Sequence, residues 1–263
     1  MRFLVIATGS KGNCAYVETP HARILIDCGV GIRRIESELA KIGADVRGID
    51  AVLISHLHSD HTRGLPTLLK HVPARVYGHN RLVGELTRRV NAELAAAKRA
   101  TYTSADIVGF NGVDGFPHRD LDILPFHVNH DCDPTVMYKV HHGGRWAGVL
   151  TDLGSTTPEL TTAFGNCDAL LLESNHCPQL LAAGPYPLPL KRRVAGSRGH
   201  LSNEQAAQFA TGLAQMPGRL LLGHVSDTNN TVAAASAAFN RIETGQIPHT
   251  VIPQETTAQV IEL

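Results

Sequence analysis

Short apolar runs separated by glycine-rich or polar breaks organise the first part of the chain. Phe3–Ala7, Cys14–Glu18 and Arg23–Asp27 read as successive strands, with Gly9-Ser10-Lys11-Gly12-Asn13 as the turn between the first two. Gly31–Ile42 switches to helical spacing and ends at Gly43, a residue suited to closing a helix. Ala51-Val52-Leu53-Ile54 is another strand candidate, and Arg81–Lys98, rich in Ala, Leu, Glu and Arg, a longer helix. Leu121–Val128, Thr135–His141 and Ala147–Thr151 repeat the strand pattern, and Thr157-Pro158 has the favoured order for starting a short helix. Ser202-Asn203-Glu204-Gln205 matches a capping box opening a helix through about Ala214. Strand Arg219–Gly223 and a helix near Val232–Glu243 complete the series. Strands alternating with helices predict an α/β protein. Gly184-Pro185-Tyr186-Pro187-Leu188-Pro189 reads as a rigid loop, and because candidate site residues lie on both sides of it, one domain over residues 1–263 is expected.

The chemistry concentrates directly after the run Ala51–Ile54. His56, His58, Asp60 and His61 form an H-x-H-x-D-H cluster, four metal-ligating side chains within six positions. A strand end feeding a tight loop would send His56 and His58 to one side, with Asp60 and His61 close enough to reach a second ion. Imidazole and carboxylate suit zinc and also serve manganese or iron. Further candidates recur where later strands hand over to loops: Asp27, His130, Asp152 and His224. Open sheets place their sites at such edges.

Composition narrows the partners. The formal net charge is zero, so a strongly basic surface of the kind many nucleic-acid binders carry is absent, and any polyanion site must be a local patch. Lys191, Arg192, Arg193 and Arg198 form such a local run. Phe3–Ala7 is shorter than a secretory signal needs, and no segment reaches the roughly 18–20 apolar residues of a membrane span. Five scattered cysteines without a C-x-x-C pair read as the reduced thiols of a cytosolic protein.

The ligand order, H-x-H-x-D-H followed by a lone histidine, an aspartate and a final histidine, resembles the metallo-β-lactamase fold. That resemblance implies an αββα four-layer sandwich and two adjacent divalent ions. His56, His58 and His130 would hold one ion, and Asp60, His61 and His224 the other. Asp152 would bridge both, and Asp27 would support the cluster loop from behind. Gly9–Cys14, Glu173-Ser174-Asn175-His176, Lys191-Arg192-Arg193, Gly199-His200-Leu201-Ser202-Asn203-Glu204 and Gly223-His224-Val225-Ser226 look like the YycJ (WalJ) branch of that superfamily. Membership there implies a 5′→3′ exonuclease acting on DNA. Lys11 stands where a small residue is expected, and Cys132 and Cys177 replace common neighbours of the histidines; no ligand is lost.

The residues agree with hydrolysis of a phosphate ester. Two metal ions, zinc or manganese, can neutralise charge building on phosphorus and supply hydroxide at neutral pH. His200 is the candidate proton donor to the leaving group, two residues before the helix cap at Ser202 and not needed as a ligand; Asp60 is assigned a catalytic part as well. Lys191, Arg192, Arg193 and Arg198 are candidates for the flanking phosphates, and Asn175 and His176 for further substrate contacts or for structural hydrogen bonds. A hydrolase of a small phosphodiester, thioester or lactam on the same two ions is the competing reading, since fold alone does not choose between them. A structural metal site is disfavoured, because such sites are usually closed four-ligand sets and this chain offers seven candidate ligands for two ions.

Overall fold

Along β1 (Arg2–Ala7) successive side chains enter different cores: Phe3 and Val5 join one buried cluster, Leu4 and Ile6 another. β4 (Ala51–Ile54) does the same, sending Ala51 and Leu53 to the first cluster and Val52 and Ile54 to the second. Strands buried on both faces read as unbroken apolar runs, because alternate residues point to opposite sides of the sheet. The computed structural model, which describes residues 1–103, 106–241, 247–254, 256 and 260–263, makes this a four-layer arrangement.

The first sheet has the order β14-β1-β2-β3-β4-β5-β6, adding β2 (Cys14–Glu18), β3 (Arg23–Ile26), β5 (Arg75–His79), β6 (Ile107–Phe110) and β14 (Ile261–Glu262). The second sheet comprises β7 (Phe116–His118), β8 (Leu121–His127), β9 (Val136–His142), β10 (Arg145–Leu150), β11 (Ala169–Glu173), β12 (Arg219–Gly223) and β13 (Thr250–Val251), in the order β13-β12-β11-β10-β9-β8-β7. Phe3, Val5, Leu53, Tyr138, Val149, Leu171 and Leu221 fill the seam between the sheets. Helices cover the outer faces. α1 (Ile32–Ala40), α3 (Leu65–Leu69) and α4 (Val83–Ala96) pack Ile35, Leu39, Leu68, Leu86 and Val90 onto the first sheet; the short α2 (Ser59–Thr62) precedes α3. On the second sheet, α5 (Pro158–Phe164), α8 (Asn203–Thr211) and α9 (Val232–Asn240) contribute Leu160, Phe164, Ala206, Phe209 and Phe239. α6 (Pro178–Ala183) and α7 (Leu188–Val194) are short surface helices between β11 and α8. The expected αββα sandwich is the observed fold.

β3 to β6 run parallel, as do β10 to β13, so each sheet gathers the C-terminal ends of several strands on one edge. β2 and β12 have the bounds expected of them. The helix after the capping box stops at Thr211 rather than Ala214, with Gly212 at its C-cap. The final helix runs to Asn240; residues 242 and 243 of its expected extent lie outside the described residues. The stretch 184–189 is only partly a loop, since α7 begins at Leu188 with Pro189 in its first turn, where a missing N–H costs nothing. All five cysteines carry free thiols, and among the described residues no helix is long and apolar enough to cross a membrane.

Candidate metal centre

Where the central strands stop, the backbone turns sharply. Asp27, Asp152 and His224, one or two residues beyond β3, β10 and β12, have φ of 61°, 54° and 53°. Non-glycine residues visit this left-handed region rarely, at a cost of order ~1–3 kcal/mol each, and such positions cluster at functional sites. Each is held by its neighbours. Asp27 accepts from Ser55 N and Oγ, both at 2.8 Å, and lies 2.7 Å from His61 Nδ1, which leaves His61 Nε2 for the site. His224 N donates to Thr8 Oγ1 at 2.8 Å. Asp27 is thus behind the cluster loop, as expected of a supporting group.

The cluster itself is not an extended strand end. β4 stops at Ile54, His58 is the N-cap of α2, and Asp60 and His61 lie within that helical turn. The turn, rather than strand alternation, brings the side chains together. Ligand atoms of His56, His58 and His130 fall within 4.8 Å of one another, and so do those of Asp60, His61, Asp152 and His224. Asp152 lies between the groups: Oδ2 is 3.0 Å from His61 Nε2, and Oδ1 is 3.4 Å from His224 Nε2 and 3.7 Å from His130 Nε2.

Asp152, Glu173, His200 and His224 form a third close set. It reads better as a hydrogen-bond hub than as a cation site, because both oxygens of the fully buried Glu173 are committed. Oε1 lies 2.7 Å from His200 Nδ1 and 3.1 Å from His224 Nδ1, while Oε2 accepts from Leu153 N at 3.1 Å and Leu201 N at 3.2 Å. The His200 and His224 rings stack at 5.1 Å.

Charge in the centre is unbalanced towards the carboxylates. Burial opposes a charged His224, but Asp152, Asp60 and Glu173 outweigh it and push its pKa up to about 10. His61 is raised in the same way by Asp152 and Asp27 against its burial. Burial likewise works against a charged Glu173, yet His200 and His224 hold its carboxyl down at about 2. The other group behaves differently: burial drives His56 and His130 towards the neutral form. The surroundings thus favour neutral rings at His56 and His130 and charged ones at His61 and His224.

A cavity of about 260 Å³ opens on these residues, lined by Asp60, Asp152, His200 and His224 and walled by Tyr186, Leu190 and Arg193 from the α7 side. A larger concavity, about 800 Å³, is lined by Asp50, Arg75 and His118, which lie at the opposite end of β4 and β5 and outside the ligand groups.

The expected substrate contacts fare unevenly. Of the basic run only Arg193 lines the cavity, and its Nε pairs with Asp131 Oδ2 at 2.5 Å. Lys191 Nζ donates to Ala182 O, Arg198 Nε donates to His130 O at 3.1 Å, and Arg192 is exposed. Asn175 and His176 do not face the cavity: both are buried, and Asn175 Nδ2 donates to His224 O at 2.9 Å, so they brace the site from behind. The sequence alone gives no role to Glu173, Asp131, Ser55 or Asn13. Glu173 and Asn13 stand inside family-like motifs, which is their only signal. Asp131 Oδ1 lies 3.5 Å from His58 Nε2 and 3.4 Å from His130 Nε2, beside the first group.

Residues 22–225 match the family model described as a beta-lactamase superfamily domain. The chain is 32% identical over 230 residues to the exodeoxyribonuclease WalJ of Streptococcus pneumoniae serotype 2, covering 87% of this chain and 83% of that protein. It is 26% identical to the exodeoxyribonuclease YycJ of Bacillus anthracis, with 92% and 89% covered. Among solved structures, zinc-bound PqqB from Methylobacterium extorquens superposes with a TM-score of 0.73 over the whole of both chains at 17% identity, a likeness of fold.

Proposed function

The chain belongs to the beta-lactamase superfamily, and from that premise we propose a metal-dependent DNA exonuclease that degrades its substrate 5′→3′ in the cytosol as a single hydrolase domain. It is a metal-dependent hydrolase; the convergence of seven ligand-type side chains from the loops of both sheets is the observation that carries the reading. The residues fit a pair of cations. His56 Nε2 is buried without a hydrogen-bond partner among the described residues, and an orphaned buried polar atom is costly unless something binds it. His56, His58 and His130 would hold one ion and Asp60, His61 and His224 the other, with Asp152 reaching both. Two divalent ions, zinc or manganese, would supply charge neutralisation at phosphorus and a water acidified towards pKa ~7.

The protein's own groups do the rest. Glu173 more than offsets the burial that opposes a charged His200 and raises its pKa. Its Nδ1 is tied to Glu173, leaving Nε2 to deliver a proton to the departing oxygen. Asp60 lines the cavity and orients the attacking water. Arg193 presents a basic group at the cavity, and Arg192, Lys191 and Arg198 extend it for flanking phosphates. The relatives' names support DNA as the substrate.

The test compares linear and covalently closed duplex DNA of equal length, end-labelled where ends exist, with manganese or zinc added and then chelated. Consumption of the linear form from its 5′ end, with the circle spared and chelation stopping the reaction, is expected. Equal attack on both forms would contradict exonuclease action, and indifference to chelation would contradict the metal dependence.

A further inference from the structure

The glycine-rich Gly9–Asn13 turn has the look of a phosphate cradle, but four of its five backbone donors are already committed. Gly9 N donates to Asn13 Oδ1 at 2.8 Å, Lys11 N to Gln254 Oε1 at 3.2 Å, Gly12 N to Gly9 O at 2.8 Å and Asn13 N to Asp60 O at 2.7 Å. Gly9 and Gly12 take φ of 131° and 141°, and a Cβ on either would collide with Gln254 or with the backbone of Gly29. The turn is therefore built to be compact and closed. What it projects is the Asn13 carboxamide. Nδ2 of this buried residue lies 2.9 Å from His61 Nε2 and 3.3 Å from Asp60 Oδ2, and also donates to Gly9 O at 3.1 Å. Thr8, immediately before the turn, accepts from His224 N at 2.8 Å. Asp60, His61 and His224 are three of the four residues of the second group; Asn13 touches the side chains of the first two and Thr8 the backbone N of the third. Among the described residues neither Thr8 nor Asn13 hydrogen-bonds His56, His58 or His130.

We propose that the Thr8–Asn13 turn is a dedicated support for the second cation position, with Asn13 as the positioning residue for Asp60. This rests on the two-cation reading given above. Once His61 Nε2 turns its lone pair to a cation, it no longer accepts from Asn13, and the amide N–H is left to Asp60 Oδ2. That hydrogen bond fixes which carboxylate oxygen faces the ion. Outer partners of this kind typically hold ~10–100-fold in metal affinity.

Zinc binding to the metal-stripped protein is measured by competition with a chromophoric chelator, with no turnover involved. Asp60→Asn marks which binding step belongs to the second position. Asn13→Ala and Thr8→Val should each weaken that step ~10–100-fold and leave the other unchanged. Gln254→Ala loosens the turn's packing without touching the amide, and should change the second step less than Asn13→Ala does. Thermal melts confirm that each variant folds, and Thr8→Val keeps the test alive if Asn13→Ala does not. Equal weakening of both steps, or of neither, overturns the proposal, as does a Gln254→Ala effect as large as that of Asn13→Ala. A parent protein with a single binding step overturns the two-cation reading itself, a result distinct from all of these.

Discussion

His200 and Glu173 illustrate how one buried carboxylate sets the chemistry of a neighbour. Glu173 holds Nδ1 of His200 at 2.7 Å and favours the charged form of the ring, while the ring itself remains part of the cavity wall. General-acid assistance is worth ~10²–10⁴-fold, so His200→Ala should lower kcat on DNA by that order with metal content unchanged. A nitrophenyl phosphodiester, whose leaving group needs little protonation, should suffer much less; equal losses on both substrates would mean a structural role. The ligand residues are legible in the sequence because four of them are neighbours along the chain. Glu173 sits within a motif yet shows no role there, since what defines it is its approach to His200, His224 and two backbone amides from distant segments. For Asn175 and His176 the sequence leaves substrate contact and structural hydrogen bonding open for the same reason: it supplies a polar residue near the site but not the side from which that residue approaches.

α7 is the element whose role changes most between sequence and structure. Its prolines suggest a loop, but Pro187 and Pro189 sit at the N-terminal end of a helix, where proline is tolerated, and the helix carries Lys191, Arg192 and Arg193 beside the cavity. If this helix meets DNA, Arg192→Ala with Arg193→Ala should raise KM for DNA and flatten its salt dependence by about 0.7–0.9 logarithmic units for each phosphate no longer neutralised. Turnover of a small phosphodiester should hardly change. Unaltered duplex degradation at every salt concentration would make the run a solvated face and advance the small-substrate reading. The Asp131 pairing of Arg193 means that a phosphate must compete for that guanidinium, so the loss on Arg193 alone should be smaller than for an unpaired arginine. Elsewhere, strands with clear apolar runs between glycine-rich or polar breaks, such as Cys14–Glu18 and Arg219–Gly223, are readable to the residue. β5, β6 and β7 are not, because Arg75–His79, Ile107–Phe110 and Phe116–His118 mix glycine, proline and histidine into short pairings set by the neighbouring strand.

On the scale of the whole molecule, the centre spans both halves of the sandwich. His56, His58, Asp60 and His61 come from the loop after β4 in the first sheet, and His130, Asp152 and His224 from the second. The two sheets are held face to face by a seam of large apolar side chains, which supplies the rigidity that fixes these ligands relative to one another. The family motifs make this architecture legible from sequence; the left-handed turns at Asp27, Asp152 and His224 are not, because Asp and His, though enriched among the few non-glycine residues at positive φ, adopt other conformations far more often. Elemental analysis of metal per chain, paired with DNA turnover, tests the central claim most directly. The parent protein should carry two divalent ions, and Asp60→Asn, His61→Ala or Asp152→Ala should each lose one ion or more together with nearly all activity while the fold persists. Both ions retained and activity intact in all three variants would contradict the assignment of this centre.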